Sequence, residues 1–276
     1  MTRAAKFDET VRPASLQEVY VDRANGLDTN PGTKSMPFAT INAALASIPD
    51  ASAVKRYAVV CAPGNYAENV LMIPWVSLVG AAYGVDSVNI EPPAGRCIEF
   101  PAAMGGNPAA VENMRLTCPD PAPGVAAVFS DNGGNGTLRN CTVTATGGGR
   151  AVEIGPGGLL LAYDCAGLAL ADTAAWVAGG GGFVGGSWTG DGVQPDIDLQ
   201  ATAVVILTPD VQLGNLTVAV APGAAIQPRN TLHAIQCVEL NPANWVPAPN
   251  PTPDDMVQAL DRIAAAVAGL LAAPIP

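Results

Sequence analysis

The stretch LRNCTVT, residues 138–144, recurs in altered form as AYDCAGL, residues 162–168. In both, an Asn or Asp precedes a cysteine, and the two cysteines, Cys141 and Cys165, are 24 residues apart. Two earlier cysteines, Cys97 and Cys118, precede them at intervals of 21 and 23 residues, in the similar apolar stretches GRCIEF and MRLTCPD. A repeat of ~20 to 30 residues is typical of stacked units that bury their apolar sides against one another.

The repeat predicts coils of short strands in which equivalent side chains stack at the strand spacing of ~4.8 Å. Small apolar residues such as cysteine suit an internal ladder of this kind. Close C-x-x-C pairs are absent from the sequence, so we interpret the cysteines as thiols and predict no metal or cofactor. Asn113, Asn140, Asp164 and Asn215 occur in similar local sequence and predict repeated turns with left-handed backbone and stacked amides.

Composition agrees with β structure. The 276 residues include 30 Gly and 25 Pro but only 13% charged and 5% aromatic residues, which favours many tight turns over long helices. A net charge of −11, with Lys and Arg scattered along the chain, argues against nucleic acid as a partner. No apolar run is long enough for a signal-peptide core or a bilayer span, which predicts synthesis in a cytoplasm and no membrane partner.

The front of the repeat region predicts a short capping helix. Apolar residues spaced by 3, 4 and 3 positions form one helical face: Phe38, Ile41, Leu45 and Ile48. Pro37 suits the first turn of such a helix, and Pro49 would end it. A helix here would cover the open end of the coil, where apolar core and unpaired strand edges would otherwise be exposed.

The same region carries a family resemblance. The segments VYVD, NPGT and PFATINAAL between residues 19 and 45, followed by VSLVGA at residues 76–81, resemble the pectin-lyase-like superfamily. The resemblance covers roughly residues 19–235 and implies an all-β fold, a right-handed parallel β-helix with an N-terminal capping helix. That superfamily includes pectate lyases, pectin esterases and glycosidases, and also phage tailspikes and head fibres, so the fold alone does not choose a function.

No catalytic residue is predicted. Acids of the later coils and arginines of the earlier ones have no recognisable catalytic spacing: Asp164, Asp172, Asp191, Asp196, Asp198, Arg96, Arg115, Arg139 and Arg150. We interpret these acids as ordinary turn residues. Trp176 and Trp188, which flank a glycine-rich turn, and Asp191 are candidates for glycan contact, because indoles bind the apolar faces of sugars. Packing in a core or an interface is the favoured interpretation of the two tryptophans.

The chain after residue 240 changes in character. Residues 241–253 read as a proline-rich linker, and residues 254–272 as a helix with apolar residues at heptad spacing: Met256, Leu260, Ile263, Val267 and Leu270. Such a helix is too short to be stable alone, so it must pack on its own β-helix or on other copies. Aliphatic residues at both seam positions favour trimers or tetramers. Residues 1–18 would form an N-terminal arm and residues 19–240 the β-helix.

These features favour a non-enzymatic protein of the phage virion surface, made in the host bacterial cytoplasm. A capsid decoration, a head fibre or a small spike fits an acidic β-helix with an arm and an oligomerisation helix, and a homotrimer is the favoured state. Other virion proteins such as the capsid, and a cell-surface polysaccharide, are the expected partners. The alternative is a polysaccharide lyase or glycoside hydrolase of the same fold, such as a depolymerising tailspike. A glycan-binding module without catalysis is a third interpretation.

Overall fold

A computed structural model of the protein describes residues 16–81, 87–186, 189–191, 197–207, 218–222 and 224–228. The chain divides into two compact units, Met1–Val238 and Glu239–Pro276, and every described residue belongs to the first. The proline-rich linker, the C-terminal helix and its seam from Met256 to Leu270 lie outside the described residues. They remain predictions, as does the arm.

The described chain runs through three parallel sheets. Sheet 1 contains β1 (Gln17–Val21), β2 (Tyr57–Cys61), β5 (Val76–Gly80), β8 (Ala109–Glu112), β11 (Asn135–Arg139), β14 (Leu159–Tyr163), β17 (Gly182–Gly186), β20 (Val204–Leu207) and β22 (Ala225–Pro228). Sheet 2 contains β3 (Gly64–Tyr66), β6 (Val88–Ile90), β9 (Arg115–Cys118), β12 (Thr142–Ala145), β15 (Ala166–Ala169) and β18 (Thr189–Asp191). Sheet 3 contains β4 (Val70–Leu71), β7 (Ile98–Phe100), β10 (Val128–Ser130), β13 (Val152–Ile154), β16 (Ala175–Val177), β19 (Ile197–Leu199) and β21 (Val218–Val220).

Successive coils add one strand to each sheet in a fixed order. From β2 to β19 the chain visits sheet 1, sheet 2 and sheet 3 in turn, and each strand pairs in parallel with its equivalent in the next coil. Short crossovers of this kind keep neighbouring strands in register, so each side chain lies above its counterpart. This topology confirms the predicted all-β parallel β-helix.

The core lies inside the coils because the strands alternate inward and outward side chains. In β13, Val152 and Ile154 are fully buried, while Glu153 between them faces outward. Large side chains such as Phe100 and Phe183 fill the interior without exposure. The hydrophobic core therefore runs continuously inside the coils, whereas a β-sandwich has a single core layer between two sheets.

The cysteines are buried as predicted, but they do not form one ladder. Cys141 and Cys165 occupy equivalent positions just before β12 and β15. Cys118, in contrast, is level with Ala145 in sheet 2, and Cys97 precedes the strands of sheet 3. Burial raises the pKa of the Cys97 thiol, so the core packs the neutral thiol. Of the three cysteine intervals, only the 24 residues from Cys141 to Cys165 correspond to a coil length, and small apolar residues are accepted in every inward row.

The predicted turn ladder is confirmed for the three described members. Asn113, Asn140 and Asp164 have φ values of 58°, 49° and 53°, in the left-handed region that Asn and Asp tolerate best. Each lies between a strand of sheet 1 and a strand of sheet 2. Asn140 Nδ2 donates to Asn113 Oδ1 at 2.8 Å. These residues turn the chain sharply at each coil, and the bond between Asn140 and Asn113 joins two successive coils. Asn215 lies outside the described residues.

A short helix, α1 (Ile41–Ala46), packs at the N-terminal end of the coils. The predicted apolar face is buried, but the helix is shorter than predicted: Thr40 is its N-cap, and Pro37 lies before it. The Glu68 carboxylate accepts from Ile41 N at 3.0 Å and Asn42 N at 2.9 Å, which satisfies first-turn amides. A loop of the first coil thus helps to cap α1. No helix in the described ranges has the length and apolarity needed to cross a bilayer.

Candidate functional site

The outer face of sheet 3 carries a row of acids and aromatic rings. The central residues of five consecutive strands, β7, β10, β13, β16 and β19, pair in register and point outward: Glu99, Phe129, Glu153, Trp176 and Asp198. We name this set the acidic–aromatic row. Because paired strands are ~4.8 Å apart, the five side chains form a continuous line across the coils.

An arginine joins the first acid of the row to the first ring. Arg96 lies three residues before Glu99, and its Nη1 is 3.2 Å from Glu99 Oε2. The same guanidinium lies over the ring of Phe129 in the following coil, 3.7 Å from the ring centre. The Arg96 guanidinium thus pairs with an acid of its own coil and stacks on a ring of the next coil.

Arg150 repeats this arrangement two coils later and adds a second acid. Its Nη1 is 3.3 Å from Glu153 Oε2, its Nε is 3.3 Å from Asp172 Oδ2, and it lies over the Trp176 ring at 4.5 Å. Both Arg150 Nε and Glu153 Oε2 are shielded from solvent, and neither has a hydrogen bond of good geometry. The ions are close enough to attract one another, but their angles leave these two atoms unsatisfied.

Two carboxyl groups of the row favour the protonated form more than usual. Burial raises the pKa of Glu153, and the positive charges of Arg150 and Arg96 oppose the shift. Burial also raises the pKa of Asp198, although Arg150 and a hydrogen bond from Gln200 Nε2 at 3.0 Å act in the other direction. Carboxyl groups tuned in this way, two strand spacings or about 10 Å apart, are a potential acid and base pair.

The raised pKa of Glu153 predicts a specific pH dependence. The folded protein binds this proton more tightly than the unfolded chain, so the contribution of Glu153 to stability is present at low pH. It is lost as pH rises from the ordinary carboxyl range, ~4, through the raised value. We expect Glu153→Gln to gain stability relative to the wild type as pH rises through this window, measured by urea unfolding at a series of pH values.

Asp120→Asn is the matched control with the opposite sign. Backbone amides of Ala122 and Gly95 donate to the Asp120 carboxylate and lower its pKa. The stability that Asp120 supplies is therefore present above the ordinary range and is lost as pH falls through the lowered value. Parallel pH trends for the two variants would contradict the burial of Glu153.

Sheet 1 carries a different kind of surface on its later coils. Side chains that point outward from β14, β17 and β20 are apolar and half-buried: Leu159, Leu161, Tyr163, Val184, Val204 and Ile206. We name this set the apolar face. Leu161, Val184 and Ile206 are level with one another and form its central line. A continuous apolar surface of this kind marks a contact site more often than isolated surface leucines do.

The earlier coils of sheet 1 form a cleft of about 320 Å³ beside the apolar face. Small side chains such as Ser77 and Ala110 line it, together with Arg56, Arg139 and Glu112. The Arg56 guanidinium lies 5.4 Å from the centre of the Trp75 ring, and Arg139 lies 6.0 Å from that of Tyr163. Among the described residues, neither arginine is within salt-bridge distance of a carboxylate. We name this feature the arginine cleft.

Sheet 2 presents polar side chains on its outer face in the early coils. Thr117 Oγ1 donates to Asn89 Oδ1 at 3.1 Å, and Asn89 Nδ2 lies 3.4 Å from Asn65 Oδ1. Polar outward residues are the ordinary outcome for a solvated sheet. The outer face of sheet 2 in these coils therefore differs from the apolar face of sheet 1.

The predicted site residues fall in different places. Trp176 belongs to the acidic–aromatic row, whereas Asp191 ends β18 in sheet 2. Trp188 lies outside the described residues. Glycan contact by these three residues stays a prediction. The structure also brings Asp172, Asp198 and Arg150 together around Glu153, a residue that sequence reasoning missed.

The described side chains do not group into a metal site. Within the described ranges, no three His, Cys, Asp or Glu side chains are placed to share a metal ion. The five described cysteines are free thiols, all of them buried: Cys61, Cys97, Cys118, Cys141 and Cys165. The carboxylates of the row have arginines and a glutamine as their neighbours.

Comparison with solved structures found distant similarities. The fold is a parallel β-helix. The chain is similar to pectin methylesterase from Aspergillus niger in deglycosylated form, with 11% identity over 83% of this chain and 93% of that chain, and a TM-score of 0.32. The same enzyme in penultimately deglycosylated form gives 11% identity, 83% and 89% coverage, and a TM-score of 0.34. No family model and no curated protein match the chain.

Proposed function

We propose that this chain is a non-enzymatic protein of the phage virion surface, a capsid decoration, head fibre or small spike, that assembles as a homotrimer. The observation that carries the proposal is the apolar face of sheet 1. A solenoid that works as a single chain gains nothing from a line of aliphatic side chains on the outside of a strand. A solenoid that packs against copies of itself buries that line and gains hydrophobic free energy.

The placement of the apolar face supports lateral assembly. Leu161, Val184 and Ile206 lie on three consecutive coils, so the surface is flat and runs along the stack. A second copy could cover it without any change in the backbone, as is usual for pre-organised interfaces. The predicted seam from Met256 to Leu270 would add further apolar contact between copies.

The phage assignment rests on the resemblance to β-helical tailspikes and head fibres and on the acidic composition. A net charge of −11 suits a soluble surface protein and disfavours contact with nucleic acid. The capsid or another virion protein would be the attachment partner. A cell-surface polysaccharide is the candidate external contact, with Trp176, Trp188 and Asp191 as predicted contact residues. Synthesis would take place in the host bacterial cytoplasm.

Solution mass tests the proposal. We expect light scattering on the intact chain to give the mass of three chains. A chain that ends at Leu240 should contain fewer copies per assembly on average at the same concentration, because it lacks the predicted seam but keeps the apolar face. A single-chain mass for the intact protein at micromolar concentration would contradict self-assembly.

A second candidate function is supported by the acidic–aromatic row. Glycoside hydrolysis needs one carboxylic acid that protonates the leaving oxygen and one carboxylate that activates water, and Glu153 and Asp198 lie one strand to either side of Trp176. A polysaccharide lyase or glycoside hydrolase would release new reducing ends from an acidic or neutral polysaccharide. Activity that disappears in both Glu153→Gln and Asp198→Asn would favour this function over the structural one.

A further inference from the structure

We infer that Cys141 and Cys165 form a disulfide that joins two successive coils when the folded protein meets a peroxide. Both cysteines are free thiols in the structure. They lie one coil apart, at the turn between sheet 1 and sheet 2. The inference concerns a modification site inside one chain, so it does not depend on how copies of the chain assemble.

The two cysteines are direct neighbours in the stack, because backbone hydrogen bonds hold their two turns together on either side. Just before the pair, Asn140 N donates to Tyr163 O at 2.9 Å. Just after it, Ala166 N donates to Cys141 O at 3.0 Å. Equivalent residues of neighbouring parallel strands have Cα atoms ~4.8 Å apart, within the ~4.4 to 6.8 Å that disulfides span. Cys141 and Cys165 therefore have the backbone separation of a disulfide.

The two thiols also have the same orientation. Each cysteine follows one of the left-handed turn residues described above. Cys141 Sγ lies 3.2 Å from Arg139 O. Cys165 Sγ lies 3.1 Å from Tyr163 O, the equivalent carbonyl of the next coil. Because the side chains are parallel, their Cβ atoms are separated by about the strand spacing, and an approach of a few tenths of an ångström brings them within the ~3.5 to 4.5 Å of a disulfide.

The other described cysteines differ in both placement and exposure. Cys97 precedes sheet 3 and Cys118 ends β9 in sheet 2, and neither is level with a cysteine of an adjoining coil. Cys61 is level with Val21 and Gly80. The inferred pair exposes 2% and 3% of its residue surfaces, whereas these three cysteines expose none. A small oxidant therefore reaches the pair, at a corner of the coil, more easily than it reaches the others.

The two thiols change one another's acidity in a way that suits this chemistry. The Cys165 thiol acts as a donor toward Cys141 and lowers the pKa of Cys141, although burial acts in the opposite direction. The same contact, together with burial, raises the pKa of Cys165. A cysteine with a lowered pKa beside a second thiol is the usual arrangement of an attacking cysteine and its resolving partner.

One peroxide oxidises one pair of thiols. The Cys141 thiolate attacks an oxygen of hydrogen peroxide, the O–O bond breaks, and a sulfenic acid forms on Cys141. The other oxygen takes up the proton that Cys141 released and leaves as water. The Cys165 sulfur then attacks the sulfenic sulfur, the S–O bond breaks, and the oxygen leaves with the Cys165 proton as a second water. Two thiols are thus oxidised to a disulfide while the peroxide is reduced to two waters.

Peptide mapping of the intact chain tests the inference. Trypsin cuts after Lys and Arg, and each cysteine of the sequence, Cys237 included, falls in a different tryptic peptide. The folded protein is treated with hydrogen peroxide, remaining thiols are blocked with iodoacetamide in urea, and the digest is analysed by mass spectrometry without reductant. We expect residues 140–150 to be joined to residues 151–229, at a yield at least about tenfold above any other pair of cysteine peptides. The oxidised chain should keep the mobility of a single chain on a non-reducing denaturing gel.

Two variants serve as a test and its matched control. Cys165→Ala removes the resolving thiol and should leave Cys141 without a crosslink. Cys118→Ala removes a different buried thiol and should leave the crosslink at its wild-type yield. Circular dichroism checks the fold of both variants. The mapping of the wild type requires no substitution, so it decides the matter even if a variant fails to fold.

The inference would be overturned if the folded wild type gave no crosslink between residues 140–150 and 151–229. Equal yields for other cysteine pairs, a crosslink between two chains, or a crosslink that forms only after unfolding in urea would overturn it as well. These outcomes leave the proposed self-association untouched, because light scattering on the reduced protein measures that property separately.

Discussion

Replacing Leu161 and Ile206 with aspartate will convert the proposed trimer into single chains. Both side chains point outward from sheet 1 and lie at the two ends of the central line of the apolar face. A charge placed there would have to be buried without a partner on association, at a cost of several kcal/mol. We expect the dissociation constant to rise at least about a hundredfold, measured by light scattering over a dilution series.

Leu168→Asp is the matched control for this prediction. Leu168 is also a half-buried, outward-facing leucine, but it lies on sheet 2, away from the proposed interface. The control should keep the mass of the wild type, and all variants should keep its circular dichroism. If Leu168→Asp dissociates the assembly as strongly as the sheet 1 variant, the apolar face is not the contact surface.

Phe100→Ala will lower the free energy of unfolding by about 3 to 5 kcal/mol, the usual cost of removing a large aromatic side chain from a core. Phe100 ends β7 and is fully buried between coils. Gly136 in β11 lies against its ring: a Cβ added there would be 2.6 Å from two ring carbons. Gly136→Ala alone should therefore cost about 1 to 3 kcal/mol through overpacking.

The double variant makes this prediction specific. With the ring removed, the methyl group of Gly136→Ala loses its closest clash, so the combined cost should be smaller than the sum of the single costs by ~1 kcal/mol or more. Gly182→Ala is the control, because its added Cβ would approach only Leu159 Cδ1, at 3.2 Å. Strict additivity in urea unfolding would show that the two residues do not share the space.

The coil repeat could be predicted from sequence because one turn recurs at nearly constant spacing. Asn140 and Asp164 occupy equivalent left-handed turns in successive coils, and each is followed by an inward cysteine. The assignment of Cys97 and Cys118 to the same ladder was wrong because the inward rows of all three sheets accept the same small apolar side chains. Periodicity therefore predicts the length of a coil. The alignment of equivalent positions between coils can be predicted only where a residue with a special backbone conformation marks the same turn in each coil.

The acidic–aromatic row was harder to predict from the sequence. Its members are the central residues of the triplets IEF, VFS, VEI, AWV and IDL, separated by 30, 24, 23 and 22 residues. Loops of different length, between sheets 2 and 3 and between β7 and β8, blur this spacing. The row also alternates acids with rings, so no single residue type repeats. The arginine three positions before Glu99 and Glu153 was the usable signal.

The capped N-terminal end also limits how copies of this protein can stack end to end. Parallel coils add to one another through open strand edges, and α1, fixed by Thr40 and Glu68, occupies that end of the stack. Copies cannot lengthen the solenoid there by continuing its coils, in the way that open-ended stacks form filaments. Growth by the proposed self-association is therefore open at the sides of the β-helix and blocked at this end of its coils.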